Sequence, residues 1–308
     1  MKIQKISFRD HFFFGGLDID LLDSSGKPLD TVVFIGNNGS GKTTLLKEIF
    51  EIFRNRNTNS ASQLKLNFLT SARVKHSKND FNLFIPQESG SLKSILKGIT
   101  AEERPRIIYL PAEISFEKTT VKTKSFDYKY SLTTIVDKKL VNEIPSYISA
   151  KITDAVFQNR DVPAKTSIKK VCDDINSIFD VLKPETRLIG LAEEGEKTPI
   201  FSNNSGAHFD IDQLSSGEKQ LFLRALSLKM LKVHNSIILL DEPETYLHPA
   251  WQEKVIKLYQ QIGQNNQLII TTHSPSVIVE CNKKSIFSLG GSGQMVTSLS
   301  PKDLTYEN

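Results

Sequence analysis

Short apolar runs punctuate the chain at Thr31–Ile35, Arg106–Leu110, Ser236–Leu240 and Gln267–Thr271. Each is too short for a core helix and too continuous for a strand with one wet face, so each reads as a strand buried on both sides. Between these runs the period changes. Leu45, Leu46, Ile49, Phe50 and Phe53 recur at helical spacing over Thr43–Phe53, and Glu218–Lys232 and Pro249–Gly263 also read as helices. Strands alternating with helices predict an α/β fold with a mostly parallel core sheet. Residues 2–9 and 12–20 alternate loosely and read as N-terminal antiparallel strands broken at Gly15-Gly16. Residues 117–185 read as helices with polar connections, best at Val141–Phe157 and Ile168–Leu182, and 186–212 as a hairpin turning at Asn203–Gly206. The expected organisation is therefore an N-terminal core half (1–116), an inserted helical lobe (117–185) and a C-terminal core half (186–308).

Chemistry-bearing residues fall at the ends of the apolar runs. Gly36-Asn37-Asn38-Gly39-Ser40-Gly41-Lys42-Thr43, followed by Thr44, fits GxxxxGK[ST] between a strand and a helix. Its glycines let successive amides face one anion, and the helix N-terminus adds partial positive charge. Lys42 would reach the β- and γ-phosphates of ATP, and the Thr43 hydroxyl would ligate Mg²⁺. The run Ile237–Leu240 ends in Asp241-Glu242-Pro243. Asp241 is placed to hold Mg²⁺ and Glu242 to polarise an attacking water. A second acid beside the first favours hydrolysis over binding alone.

Leu214-Ser215-Ser216-Gly217-Glu218-Lys219-Gln220 opens the helix to Lys232, with Ser215 near the cap, and forms a second phosphate-facing helix N-terminus. One nucleotide does not need two such sites. His273, in Thr271-Thr272-His273-Ser274, closes the last core strand, where it could sense a γ-phosphate and stabilise developing charge.

Composition narrows the setting. The chain is 39% hydrophobic and 24% charged with net charge +4, which is ordinary globular composition. Cys172 and Cys281 form no disulfide framework or zinc motif, and no apolar run is long enough to span a bilayer, so a soluble cytoplasmic protein is expected. Residues 51–100 hold eight Lys/Arg against three acids, a stretch that could follow a phosphate backbone or stand as a solvated loop.

Taken together, these motifs resemble the ABC ATPase superfamily. Leu214–Gln220 is similar to its LSGGQ signature, with Ser216 for the first glycine and Glu218 for the glutamine, and His273 is similar to its switch histidine. The resemblance implies that the signature of one subunit completes the site of another, so that two ATPs sit between head-to-tail copies. Ser215, Ser216, Gly217 and Glu218 would then contact nucleotide held by the other copy. Glu244-Thr245-Tyr246-Leu247-His248-Pro249 replaces the transporter segment that follows the acid pair, and with the opening residues and RIIYLPAE it looks like the OLD, RecF and SMC-related branch. The tail after His273 is too short for the nuclease domain of OLD enzymes. A free-standing ATPase of this kind resembles subunits of anti-phage defence and DNA-repair systems, which implies a separate effector such as a nuclease, with DNA as a further partner and no membrane. The rival readings are a transporter ATPase subunit and a scaffold clamped by ATP without turnover. Gln87 and Glu113 are candidates for a glutamine-switch position. Phe8, Arg9 and Phe12–Phe14 are candidates for adenine contacts.

Overall fold

The computed structural model describes residues 1–8, 11–54, 104–116, 121, 130–279 and 281–290, and the backbone of 64–70, 81–84 and 295–296. In chain order the strands are β1 (Lys2–Phe8), β2 (Asp18–Asp20), β3 (Thr31–Ile35), β4 (Leu64–Thr70), β5 (Phe81–Phe84), β6 (Ile107–Leu110), β7 (Thr133–Ile135), β8 (Arg187–Leu191), β9 (Pro199–Ser202), β10 (His208–Asp210), β11 (Ile237–Asp241), β12 (Gln267–Thr272), β13 (Ile286–Leu289) and β14 (Met295–Val296). The helices are α1 (Lys42–Arg54), α2 (Lys138–Val141), α3 (Ile144–Gln158), α4 (Ala164–Asn176), α5 (Ser216–Met230), α6 (Pro249–Gln252), α7 (Val255–Gln260) and α8 (Pro275–Ile278).

The main sheet has the order β14-β13-β3-β12-β11-β6-β7. All its pairings are parallel except the edge pair β13–β14. The apolar runs are continuous because alternate residues enter different cores. Val33, Ile108, Leu110, Ile238, Leu240 and Ile270 face one cluster with α5 and the helices of 138–182. Val32, Phe34, Ile107, Tyr109, Leu239 and Ile269 face the other with α1 and β1. Burial of each such aliphatic side chain stabilises the fold by about 1.5–3 kcal/mol.

A second sheet, β2-β1-β4-β5, is antiparallel throughout. Its β4 and β5 lie inside 51–100, the stretch that the sequence pattern leaves irregular. The third sheet, β10-β9-β8, extends the expected hairpin to three strands. The turn falls where the sequence places it, with the Asn203 carboxamide oxygen accepting from the amides of Ser205 and Ala207.

Other differences have local causes. Thr133–Ile135, within the stretch expected as the helical lobe, is the edge strand of the main sheet, and three residues are too few to show a strand period. The helices of 138–182 share their core with the sheet: Ile144, Ile148 and Ile175 belong to the same cluster as Ile238 and Leu240. The helix expected over Pro249–Gly263 is broken between α6 and α7 at Glu253-Lys254.

Candidate functional site

Parallel order brings the C-terminal ends of β3, β11 and β12 side by side, and the loops that leave them form the site. The first is the glycine loop into α1. Gly41 has φ +89°, a left-handed conformation that a side chain strains, and a Cβ there would overlap the Phe13 ring. The first bond of the helix is donated by Leu45 to the Gly41 carbonyl. The amides of Lys42, Thr43 and Thr44 precede it and have no carbonyl four residues back within the helix. Lys42 is buried, and its ammonium donates to the carbonyls of Gly36 at 2.8 Å and Asn37 at 3.1 Å. The Ser40 hydroxyl is buried without a partner among the described residues.

At the end of β11, Asp241 is 2% exposed and held on every side. One carboxylate oxygen, Oδ1, accepts from the Thr43 hydroxyl at 3.1 Å and the Thr271 hydroxyl at 2.7 Å. The other, Oδ2, accepts from the Tyr109 hydroxyl at 3.1 Å, and the Asp241 backbone carbonyl accepts from the fully buried Arg224 of α5 at 3.0 Å. Burial first, and the Asp241 charge second, push the Tyr109 hydroxyl well above its usual range, so it remains a protonated donor.

Glu242 adopts φ +40°. Its amide donates to the Thr271 carbonyl at 2.9 Å, and its own carbonyl accepts from the Thr245 amide at 3.2 Å and hydroxyl at 2.9 Å. This backbone aims the Glu242 carboxylate at His273 Nδ1, 3.1 Å away, and Lys42 Nζ, 3.9 Å away. A carboxylate only accepts, so the bond places the His273 proton on Nδ1.

The structure therefore brings together Lys42, Thr43, Asp241, Glu242 and His273. Among the described residues, no hydrogen bond or ion pair joins Ser215–Glu218 to the glycine loop. Ser215 instead caps α5 in a closed box with Glu218: its hydroxyl accepts from the Glu218 amide at 3.3 Å and donates to the carboxylate at 2.6 Å. The Glu218 carboxylate is thus turned onto its own cap. Ser215 and Ser216 are exposed, while Gly217 is buried against the Tyr246 carbonyl, which a Cβ would overlap. Phe8 and Phe14 are buried in the core and Phe13 lies on Gly41, whereas Phe12 is 86% exposed. Glu113 is exposed just after β6. Gln87, Arg9 and most of the basic stretch lie outside the described residues.

Tyr109 and Thr271 lie inside stretches that the sequence singles out, but the motifs give neither of them nor Arg224 a role in the site. Tyr109 and Thr271 are found only through strand register, in which β11 runs between β6 and β12 with Asp241 opposite Thr271.

The carboxylate oxygens of buried Asp241 and the hydroxyl of exposed Thr43 are hard donors suited to Mg²⁺, and the lysine, the first-turn amides and the Ser40 hydroxyl, which has no partner among the described residues, suit a phosphate chain. The residues present fit both groups.

This parallel sheet with its glycine loop, acid pair, capped helix and strand-end histidine is similar to the heads of ABC-type ATPases of the OLD/RecF/SMC-like branch, and the comparisons with known proteins give the same likeness. The family model for the AAA domain whose description includes the AbiEii toxin and the Type IV TA system (AAA_21) matches residues 137–280. The chain is similar to Septu protein PtuA of Bacillus thuringiensis, 25% identical over 277 residues, covering 83% of this chain and 69% of that one. It is also similar to the Retron Ec83 probable ATPase of Escherichia coli, 34% identical over 151 residues, covering 41% of this chain and 27% of that one. In fold it is similar to the solved SmcHead bound to the C-winged helix domain of ScpA, with TM-score 0.53 and 14% identity over 98% of each chain.

Proposed function

We propose that this chain hydrolyses ATP as a head-to-tail dimer around two ATP-Mg²⁺, and that turnover controls a separate effector, a nuclease, in anti-phage defence or DNA repair. The observation that carries the hydrolysis reading is the pairing of Glu242 with His273 beside Lys42. Gly36–Thr44 would cradle the phosphates, with Lys42 exchanging its loop carbonyls for phosphate oxygens. Thr43 and Asp241 would hold Mg²⁺, which supplies positive charge to the phosphate oxygens when bound. Glu242 takes the proton of the attacking water, held by His273 Nδ1–H in the orientation that reaction needs.

Support for the dimer comes from the signature. Ser215 and Ser216 are exposed at a capped helix N-terminus that makes no bond to its own glycine loop, and such a terminus suits the phosphates of a second copy. The effector reading rests on the likeness to PtuA and the retron ATPase and on the branch resemblance. Residues 117–185 are the stretch we assign to effector docking, between core halves 1–116 and 186–308. No helix among the described residues is long and apolar enough to cross a membrane.

The test is Glu242→Gln, assayed for ATP binding, phosphate release and mass in solution with ATP and Mg²⁺. Binding is retained, turnover falls by about 10²–10⁴-fold, and the dimer accumulates. Wild-type turnover in this variant would refute the role of Glu242. A variant that stays monomeric with ATP bound would refute the dimer.

A further inference from the structure

The residues on both sides of His273 are tied to the segment that follows Glu242. Thr272 donates its hydroxyl proton to Glu244 Oε1 and accepts from the Ser274 amide at 2.9 Å. The Ser274 hydroxyl donates to Gln252 Oε1 at 2.8 Å, and Gln252 Nε2 donates to the Leu247 carbonyl at 3.0 Å. Finally, the Leu247 amide donates to the Glu244 carbonyl at 2.9 Å. These bonds close a ring from Glu244 through Thr272, Ser274, Gln252 and Leu247 back to Glu244. The ring encloses the backbone of His273, whose side chain alone leaves it to meet Glu242.

Glu244 is an unusual residue for this place. It is 4% exposed, and its second carboxyl oxygen is buried without a partner among the described residues. Burial pushes its carboxyl up from the ordinary carboxylate range, opposed by the hydrogen bond from Thr272 and reinforced by the charge of Glu242. The Glu244 carboxyl accepts from Thr272 through Oε1 in either protonation state. The same segment also reaches the signature helix, since the Tyr246 carbonyl lies against Gly217.

We propose that Glu244 is a positioning residue for the Glu242–His273 pair: its buried carboxyl anchors Thr272, and the ring fixes the backbone on which His273 presents Nδ1 to Glu242. This rests on the hydrolytic reading above, and it adds a buried residue that acts through Thr272. Misplacement of a reacting group by about 1 Å can cost about 10²-fold in rate, so a residue that sets this contact acts on turnover and leaves ATP binding alone.

The experiment compares full-length wild type with Glu244→Gln, Glu244→Ala and Gln252→Ala, reading kcat and KM for ATP. It also records the ring ¹⁵N–¹H correlations of His273 without nucleotide, using Glu242→Ala, which removes the acceptor, as the reference for a broken pair. Glu244→Gln, which keeps the acceptor, stays within about twofold of wild-type kcat. Glu244→Ala loses about tenfold or more in kcat at unchanged KM, and its His273 signals move toward those of Glu242→Ala. Gln252→Ala opens the ring from its half-buried side and shows the same changes in smaller measure, which keeps the test decisive should Glu244→Ala fail to fold. His273 signals that overlay the wild type in both ring-opening variants would overturn the proposal. So would an equal loss of kcat in Glu244→Gln and Glu244→Ala, which would make the charge and not the acceptor the active feature. Absence of turnover in the wild type would sink the hydrolytic reading, while the His273 signals would still decide the positioning.

Discussion

Replacing Tyr109 by Phe removes one oxygen and leaves the ring in its place beside Phe50, 5.9 Å away between centroids. The loss falls on Asp241. Its Oδ1 keeps both threonine donors, but its Oδ2 has Tyr109 as its only donor among the described residues. Hydrogen bonds to charged groups contribute about 1.5–3 kcal/mol, and leaving a buried acceptor unmade costs about as much. The ring stays, so no cavity opens. We therefore expect stability lower by about 1.5–3 kcal/mol. Urea unfolding without nucleotide measures it, as a midpoint shift at constant slope. The variant should recover part of the loss with ATP and Mg²⁺, because a ligand that binds only the folded state stabilises it by mass action. An unchanged midpoint would refute the reasoning, since it would mean that water satisfies Oδ2 and that Tyr109 holds nothing.

Lys42→Ala should abolish the thermal shift given by ATP-Mg²⁺, because the ammonium now held by the Gly36 and Asn37 carbonyls would be gone; a retained shift would contradict its role. Gly217→Ala should slow turnover while ATP binding is kept, because the added methyl overlaps a backbone carbonyl that cannot rotate away and pushes the signature helix off the 244–247 segment. Overpacking of that kind costs about 1–3 kcal/mol, and phosphate release set against equilibrium ATP binding separates the two effects.

What was legible in the sequence is what depends on contiguous residues. The glycine loop is a local backbone device, so its residues identify it in any context. The runs at 31–35, 106–110, 236–240 and 267–271 show themselves because both faces of their strands are dry, which leaves no polar alternation to confuse the reading. The rest depends on partners distant in sequence. Tyr109 and Thr271 touch Asp241 only because β6, β11 and β12 share one register, and a single chain carries no local mark of register. Glu244 reads as an ordinary polar residue after the acid pair until Thr272 is brought against it. The strand at Thr133–Ile135 is invisible for a different reason: it borrows its structure from β6 and has no length of its own to show a pattern.

Glu242 and Tyr246 both hold left-handed backbone, at φ +40° and +67°. A residue other than glycine gives up about 1–3 kcal/mol in such a conformation. The chain therefore carries two standing costs within five residues that glycine would largely remove. Glycine at 246 would relieve that strain, offset in part by the freedom it gives the unfolded chain, and would loosen the segment between the signature helix and the strand-end histidine. A tyrosine at that bend gives up some stability of the folded chain but leaves the segment fewer backbone conformations than glycine would.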